Sequence, residues 1–295
     1  MVADYPFQSH WLQVQENTRL HYLDEGNGPP VLLLHGNPTW SYYYRKLVSA
    51  LRDRFRCIVP DHVGCGYSDK PGLDRYSYRL QDRIDNLEQL VDHLNISQPI
   101  HLIVHDWGGM IGFGWARTQT ERIASITVLN SAAFPLPKTK RLPFRLWLGR
   151  NTWLGKWLIR SRNVFCKHAL QVGAKRRKMS PEEQAAYLLP YDSWDNRVAV
   201  WKFVQTIPLS ANDEGWDIVQ ETMGSLKNYH QTPAMIHWGA LDFVFDKHFL
   251  TEWKVHLPNC NITMYSDCGH YILEDAGETI IPAVRDFLIK NSSMS

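Results

Sequence analysis

Four short apolar runs, separated by stretches with helical spacing, do most to restrict what this 295-residue chain can fold into. They lie at 31–35, 56–60, 100–104 and 126–129. Runs that are apolar on both faces suit strands buried in a parallel sheet. Between them, Leu80, Ile84, Leu87, Val91 and Leu94 recur at steps of four and three, which marks one face of a helix. Residues 110–116 read as a second helix. This rhythm predicts an α/β fold with a mainly parallel sheet. Upstream, 10–14 and 20–23 predict a hairpin on the sheet edge.

The rhythm stops at Phe134. From there to about Ala211 the chain reads as helices and loops without a strand. It resumes with runs at 234–238 and 262–265 and a helix near 280–289. The simplest organisation is an α/β core of residues 1–133 and 212–295 with a helical cap, 134–211, inserted into it. Hydrophobic residues make up 44% of the chain, enough for a core of that size. No run reaches the ~18 apolar residues of a membrane span. The first ten residues lack the apolar stretch of a secretory signal. Cys57, Cys65, Cys166, Cys260 and Cys268 show no C-x-x-C spacing and read as reduced thiols, so a cytoplasmic protein is expected.

Charge is near balance overall, with 32 Lys+Arg against 30 Asp+Glu, which gives no case for nucleic-acid binding. Its distribution is uneven. Between Phe134 and Ser180 stand 13 Lys/Arg and no Asp or Glu, leaving 19 basic and 30 acidic residues elsewhere.

Three loci could carry chemistry. In the segment 104–109, VHDWGG, a buried strand ends and a helix begins. A sharp strand-to-helix turn lifts one side chain above a sheet and needs a small residue two positions on. Gly108 meets that need, and the lifted side chain is Asp106. A carboxylate there can attack carbon and form an ester. An Asp that merely caps the following helix fits the pattern equally well. After the first buried strand comes HGNPTW at 35–40, placed to give a backbone N–H to an oxyanion hole, with a second from the residue after the nucleophile. Those residues are Asn37 and Trp107. Near the C-terminus, DCGH at 267–270 places His270 where a base comes after nucleophile and acid in chain order. The acid that orients it is expected at a strand end. Asn130 is neutral, so Asp242 is the better candidate, with Asp246 as the alternative.

Together these loci resemble the haloalkane dehalogenases of the α/β-hydrolase superfamily, over almost the whole chain. The motifs that carry the resemblance are HGNPTW (35–40), PDHVGCGYSDKP (60–71), HDWGG (105–109), AYLLPYDSWDNR (186–197) and DCGH (267–270). It implies that Asp106 displaces halide from a saturated carbon. The Asn37 amide and Trp107 indole would hold the departing halide ion. His270, oriented by Asp242, would then drive water onto the ester, giving an alcohol. No cofactor and no metal are implied. The combination with neutral Asn130 also resembles the β-lactone decarboxylases of long-chain olefin biosynthesis, in which the same Asp106 would open a lactone on the way to an alkene. Epoxide hydrolases are a more remote option, for which Tyr187 and Tyr191 would serve as acids.

The basic insertion interleaves Trp147, Trp153, Trp157, Leu146, Leu148, Leu154, Leu158 and Ile159 with Arg and Lys. Such a composition has two readings. Either the aromatics pack inward and the cations are solvated, or segment 138–178 drives self-association or contact with a membrane surface or partner enzyme.

Overall fold

The computed structural model describes residues 2–292. Eight strands form one sheet: β1 (His10–Gln15), β2 (Thr18–Glu25), β3 (Pro30–Leu34), β4 (Arg56–Pro60), β5 (Ile100–Asp106), β6 (Ile123–Ser131), β7 (Ala234–Gly239) and β8 (Asn261–Tyr265). Their spatial order is β1-β2-β4-β3-β5-β6-β7-β8. β1 and β2 pair antiparallel, as does β2 with β4, and the remaining pairs are parallel. Burial depends on position in the sheet. Every residue of β3, β5 and β7 is buried, whereas β1 at one edge alternates half-buried and exposed side chains. This is the contrast expected between central parallel strands and a solvated edge hairpin.

Eleven α-helices accompany the strands among the described residues. In the core, α1 (Arg45–Leu51) comes after β3, α2 (Leu80–His93) after β4 and α3 (Trp107–Ala116) after β5. The spacing read from Leu80 to Leu94 holds: Leu80, Ile84, Leu87, Leu90 and Val91 are all buried on α2. Between β6 and β7 the chain forms α4 (Phe144–Asn151), α5 (Trp153–Arg162), α6 (Val164–Gly173), α7 (Pro181–Leu188), α8 (Val198–Gln205) and α9 (Trp216–Ser225). α4 packs on α5 and α8, α5 on α6 and α8, and α6 on α7, while α9 returns to α3. α10 (Lys247–His256) comes after β7, and α11 (Ile272–Ser292), kinked at Ala276, closes the described chain. Among the described residues no helix is long and apolar enough to cross a membrane.

The strand order reverses direction at β3, with β4 on one side and β5 on the other. Loops leaving the carboxyl ends of β3 and β5 therefore diverge and leave a crevice, the usual ligand position in open α/β sheets. Asn37 and Asp106 stand at those two strand ends.

Candidate active site

The site starts from the turn between β5 and α3. Asp106 has φ 52° and ψ −124°, a backbone conformation that non-glycine residues rarely adopt. Gly108 makes the turn possible, because a Cβ there would lie 2.0 Å from the Leu34 carbonyl oxygen. Asp106 occupies the N-cap position of α3, yet its side chain caps no helix amide. Its Oδ1 instead accepts a hydrogen bond from the Asn37 backbone N–H at 2.6 Å. The helix-capping reading of this residue therefore fails. Ser131 Oγ donates to the Asp106 carbonyl at 2.6 Å and pins the turn from the β6 side.

His270 lies between two carboxylates. Its Nδ1 is 2.7 Å from Asp242 Oδ2, and its Nε2 is 3.5 Å from Asp106 Oδ2. The ring stacks on Phe245 with an interplanar angle of 13°. Asp242 is itself held: its Oδ1 accepts from the amides of Val244 at 2.8 Å and Phe245 at 3.0 Å. Asp246, the alternative acid, is engaged elsewhere. It accepts from His248 N at the start of α10 and pairs with Lys140 Nζ at 2.5 Å.

Burial disfavours charge on both His270 and Asp106, but their mutual attraction outweighs it. Asp242 and Asp106 hold the His270 pKa up at about 10 against an ordinary 6.5. The hydrogen bond to His270, its charge and the Asn37 amide keep Asp106 below its ordinary value despite burial. At neutral pH the resting site is thus an imidazolium between two carboxylates, and Asp106 is ionised without help from a base.

Two positioning residues escaped the sequence reading. Asn130, set aside as neutral, donates from Nδ2 to Asp242 Oδ2 at 3.0 Å, and its Oδ1 accepts from Gly239 N at 2.8 Å. Its place at the carboxyl end of β6 was the available signal. Asp275 accepts from the amides of Gly269 at 2.7 Å and Lys175 at 2.8 Å, tying the His270 loop to the segment after α6. In sequence it is one more acid at the start of a helix.

Asp106, His270, Asn37 and Trp107 open into one cavity of about 950 Å³ including its mouth. Apart from these four and Lys140, its walls are apolar, with Leu142, Leu146, Phe165, Val204, Ile207 and Phe249 prominent. Asn37 Nδ2 donates to the Val200 carbonyl of α8 at 3.1 Å, which commits one of its two amide hydrogens. The indole of Trp107 packs on Phe203 at 5.3 Å. Its backbone N–H opens α3, where no intrahelical carbonyl can accept from it. The tyrosines considered as acids lie elsewhere. Tyr187 OH donates to Glu274 Oε1 at 2.6 Å and Tyr191 OH to the Thr39 carbonyl at 3.2 Å, and neither lines the cavity. The epoxide-hydrolase option loses its proton donors.

A strained carboxylate above a parallel sheet, with a histidine and a second acid from later strand ends, defines the class: the chain belongs to the alpha/beta hydrolase fold family, whose model matches residues 29–277. Within it, the chain is 49% identical to a cis-3-alkyl-4-alkyloxetan-2-one decarboxylase of Shewanella oneidensis, over 98% of this chain and 91% of that protein. It is 45% identical to a protein of the same name from Xanthomonas campestris pv. campestris, over 97% and 98%. Identity to haloalkane dehalogenase 2 of Mycobacterium tuberculosis is 30%, over 95% and 94%. The crystal structure of a haloalkane dehalogenase from Bradyrhizobium elkani USDA94 superposes with a TM-score of 0.86 at 25% identity, covering 98% of this chain and all of that one. The order of the two activities suggested by the motifs is thereby changed: identity runs higher to the decarboxylases than to the dehalogenases.

Proposed function

We propose that this enzyme opens a 3,4-dialkyl β-lactone and releases carbon dioxide and an alkene. The observation that carries the reading is the identity of 49% and 45% to two decarboxylases of that name, against 30–36% to haloalkane dehalogenases. The apolar cavity over Asp106 is consistent with a substrate that bears two alkyl chains. We assign residues 134–211 to the cap that roofs it.

The chemistry needs only the groups in hand. The Asp106 carboxylate attacks C4 of the oxetanone from the face opposite the ring oxygen. The C4–O bond breaks, its electron pair stays on the released substrate carboxylate, and C4 is joined to Asp106 as an ester. Inversion at C4 sets the Asp106 oxygen anti to that carboxylate. The C3–carboxyl bond then breaks, its electrons form the C3=C4 bond, and Asp106 departs as a carboxylate. Inversion succeeded by anti elimination turns a cis lactone into a cis alkene. No water, base or net proton transfer is required. The cavity holds Asp106 within reach of C4, and alignment of this kind can be worth ~7–11 kcal/mol. The imidazolium of His270 keeps Asp106 ionised and stabilises the charge that returns to it when it departs.

Haloalkane hydrolysis is the second reading, favoured by Asn37 and Trp107 standing beside Asp106 in the cavity. It differs in the fate of the ester, which water must cleave. Once Asp106 is esterified, His270 loses one of the two charges that hold its proton, its pKa falls, and it becomes a base for water. His270→Ala separates the two routes. With a cis-dialkyl β-lactone the variant should still form cis alkene, at a rate lowered roughly tenfold. With 1-bromobutane it should release about one bromide per enzyme and retain an alkyl mass on the Asp106 peptide. Wild-type enzyme that turns over bromobutane and leaves the lactone intact refutes the decarboxylase assignment.

A further inference from the structure

The insertion carries a surface that the reaction does not explain. Phe144 is 71% exposed and Trp153 78%, with Trp147, Leu154 and Trp157 also exposed. Of the tryptophans, leucines and isoleucine on α4 and α5, only Leu146 and Ile159 turn fully inward. The inward-packing reading of these tryptophans therefore fails. The exposed rings lie on two helices that pack together: Phe144 stacks on Trp147 at 5.9 Å along α4, and α4 packs on α5, which carries Trp153, Leu154 and Trp157. Monomeric soluble proteins rarely leave a contiguous patch of large aromatics in water without a use for it.

Charge tells what covers it. Arg141, Arg145, Arg162, Lys167, Lys175 and Lys178 are exposed, and none forms an ion pair among the described residues. Arg162 lies over the Trp157 ring at 5.3 Å, so cation and aromatic share a face. The segment 134–180 contains no acid to offset them. Some core acids are paired already, as in Asp24–Arg56, Glu25–Arg52, Asp53–Arg285 and Asp69–Arg19, and those left over are what a second copy would offer, an outcome that gel filtration separates. Tryptophan, phenylalanine and leucine set among unpaired cations are the composition of a helix lying in an anionic lipid interface.

One edge of α4 adjoins the wall of the Asp106 cavity. A shallow groove lined by Phe144, Arg145, His168 and Lys175 shares Pro143 and Phe243 with the cavity wall. We infer that the α4–α5 face docks on the surface of an anionic phospholipid bilayer, with the cavity mouth beside the lipid. The inference stands whichever bond the enzyme breaks. It gives apolar substrates and products a path that avoids bulk water.

Vesicle flotation tests it. The full chain is mixed at low salt with vesicles of phosphatidylcholine alone, or of equal parts phosphatidylcholine and phosphatidylglycerol. At least about tenfold more protein should float with the mixed vesicles, and high salt should release most of it. The double variants Trp153→Ser/Trp157→Ser and Arg162→Glu/Lys167→Glu should each lose about tenfold in binding. All four side chains lie outside the cavity wall, so circular dichroism and melting temperature should match wild type and report intact folding. Protein that stays with the buffer in both mixtures overturns the inference, as does equal flotation of the variants. A dimer in low-salt gel filtration that either double variant abolishes would assign the face to a second copy and overturn it too.

Discussion

Two ionic clusters sit four residues apart on one segment of chain, and their surplus charges have opposite sign. Around His270, one cation faces two carboxylates, Asp106 and Asp242. Around Glu274, two carboxylates face three cations: Arg45 reaches Glu274 and Glu183 at 2.5 and 3.1 Å, Arg177 reaches them at 2.9 and 2.7 Å, and Lys46 Nζ at 3.6 and 3.5 Å. The second cluster has a cation for every carboxylate and one to spare, and it joins α1, α7 and α11. The first carries a surplus negative charge, placed on the one carboxylate that faces a cavity. Full cationic cover makes a clamp, because each carboxylate is satisfied by its neighbours. Surplus negative charge suits the proposed nucleophile, because Asp106 keeps a charge that its surroundings only partly neutralise. Removing charge from the first cluster should therefore cost rate, and removing it from the second should cost stability.

The largest expected effect is at the surplus charge itself. Asp106→Asn keeps the shape and removes the nucleophile. Turnover measured as alkene or bromide should fall by about 10⁴-fold or more, with the melting temperature within a few degrees of wild type. A variant that keeps a tenth of the activity would show that Asp106 does not attack carbon.

Glu274→Gln probes the clamp. It leaves Arg45, whose side chain is fully buried, short of a partner, and such a loss costs about 3–5 kcal/mol of folding stability. Chemical denaturation should show that loss, while kcat of the molecules that remain folded stays within about threefold of wild type. A large fall in kcat without a fall in stability would erase the distinction between the clusters.

The two clusters also differ in how far the sequence reveals them. Asp106, His270 and Asp242 each stand just beyond a strand end, and chain order with turn chemistry is enough to place them. The Gly108 spacing even anticipates the turn. Glu274 and Glu183 obey no such rule. Their partner Arg45 is distant in sequence, on a helix whose charge looks like any solvated face, and only the packing of α7 and α11 against α1 brings the four together. Asn130 falls between these cases. Its position was legible, but its role was not, because a neutral amide is read as the absence of an acid until the carboxylate it binds is seen. Trp147, Trp153 and Trp157 mark the limit of pattern reading, since spacing cannot decide which face of an amphipathic helix turns toward a neighbour.

Asn130→Ala tests that intermediate case. Losing one hydrogen bond to Asp242 Oδ2 should lower kcat roughly tenfold, with KM unchanged, because the amide touches no substrate. The bond also draws charge from the oxygen facing His270, so the imidazole pKa should rise further in the variant. Imidazole NMR titration reads that shift directly, and a purely structural role would leave it unmoved.

The smallest effect is the most discriminating, because the clusters should fail at opposite ends of the pH scale. His270 has a folded-state pKa of about 10 against an ordinary 6.5, so the folded protein holds a proton that the unfolded chain releases in that interval. Its contribution to stability is complete below pH 6.5 and disappears as pH climbs toward 10. Glu274 has the reverse sign. Burial raises its pKa, but Arg45 and Tyr187 outweigh burial and set it below the ordinary 4.5, so its contribution holds above that value and fades as acid is added. Melting temperature measured across pH should therefore fall on both flanks. His270→Gln should lessen the slope on the alkaline side alone, and Glu274→Gln the slope on the acid side alone, where Asp61, Asp106 and Glu183 continue to contribute. Burial also raises the cysteine thiols from an ordinary 9.0, so the deciding interval lies between pH 6.5 and about 8. A fall there that His270→Gln leaves unchanged would mean the imidazolium is not held by Asp106 and Asp242, and the surplus-charge account of Asp106 would lose its basis.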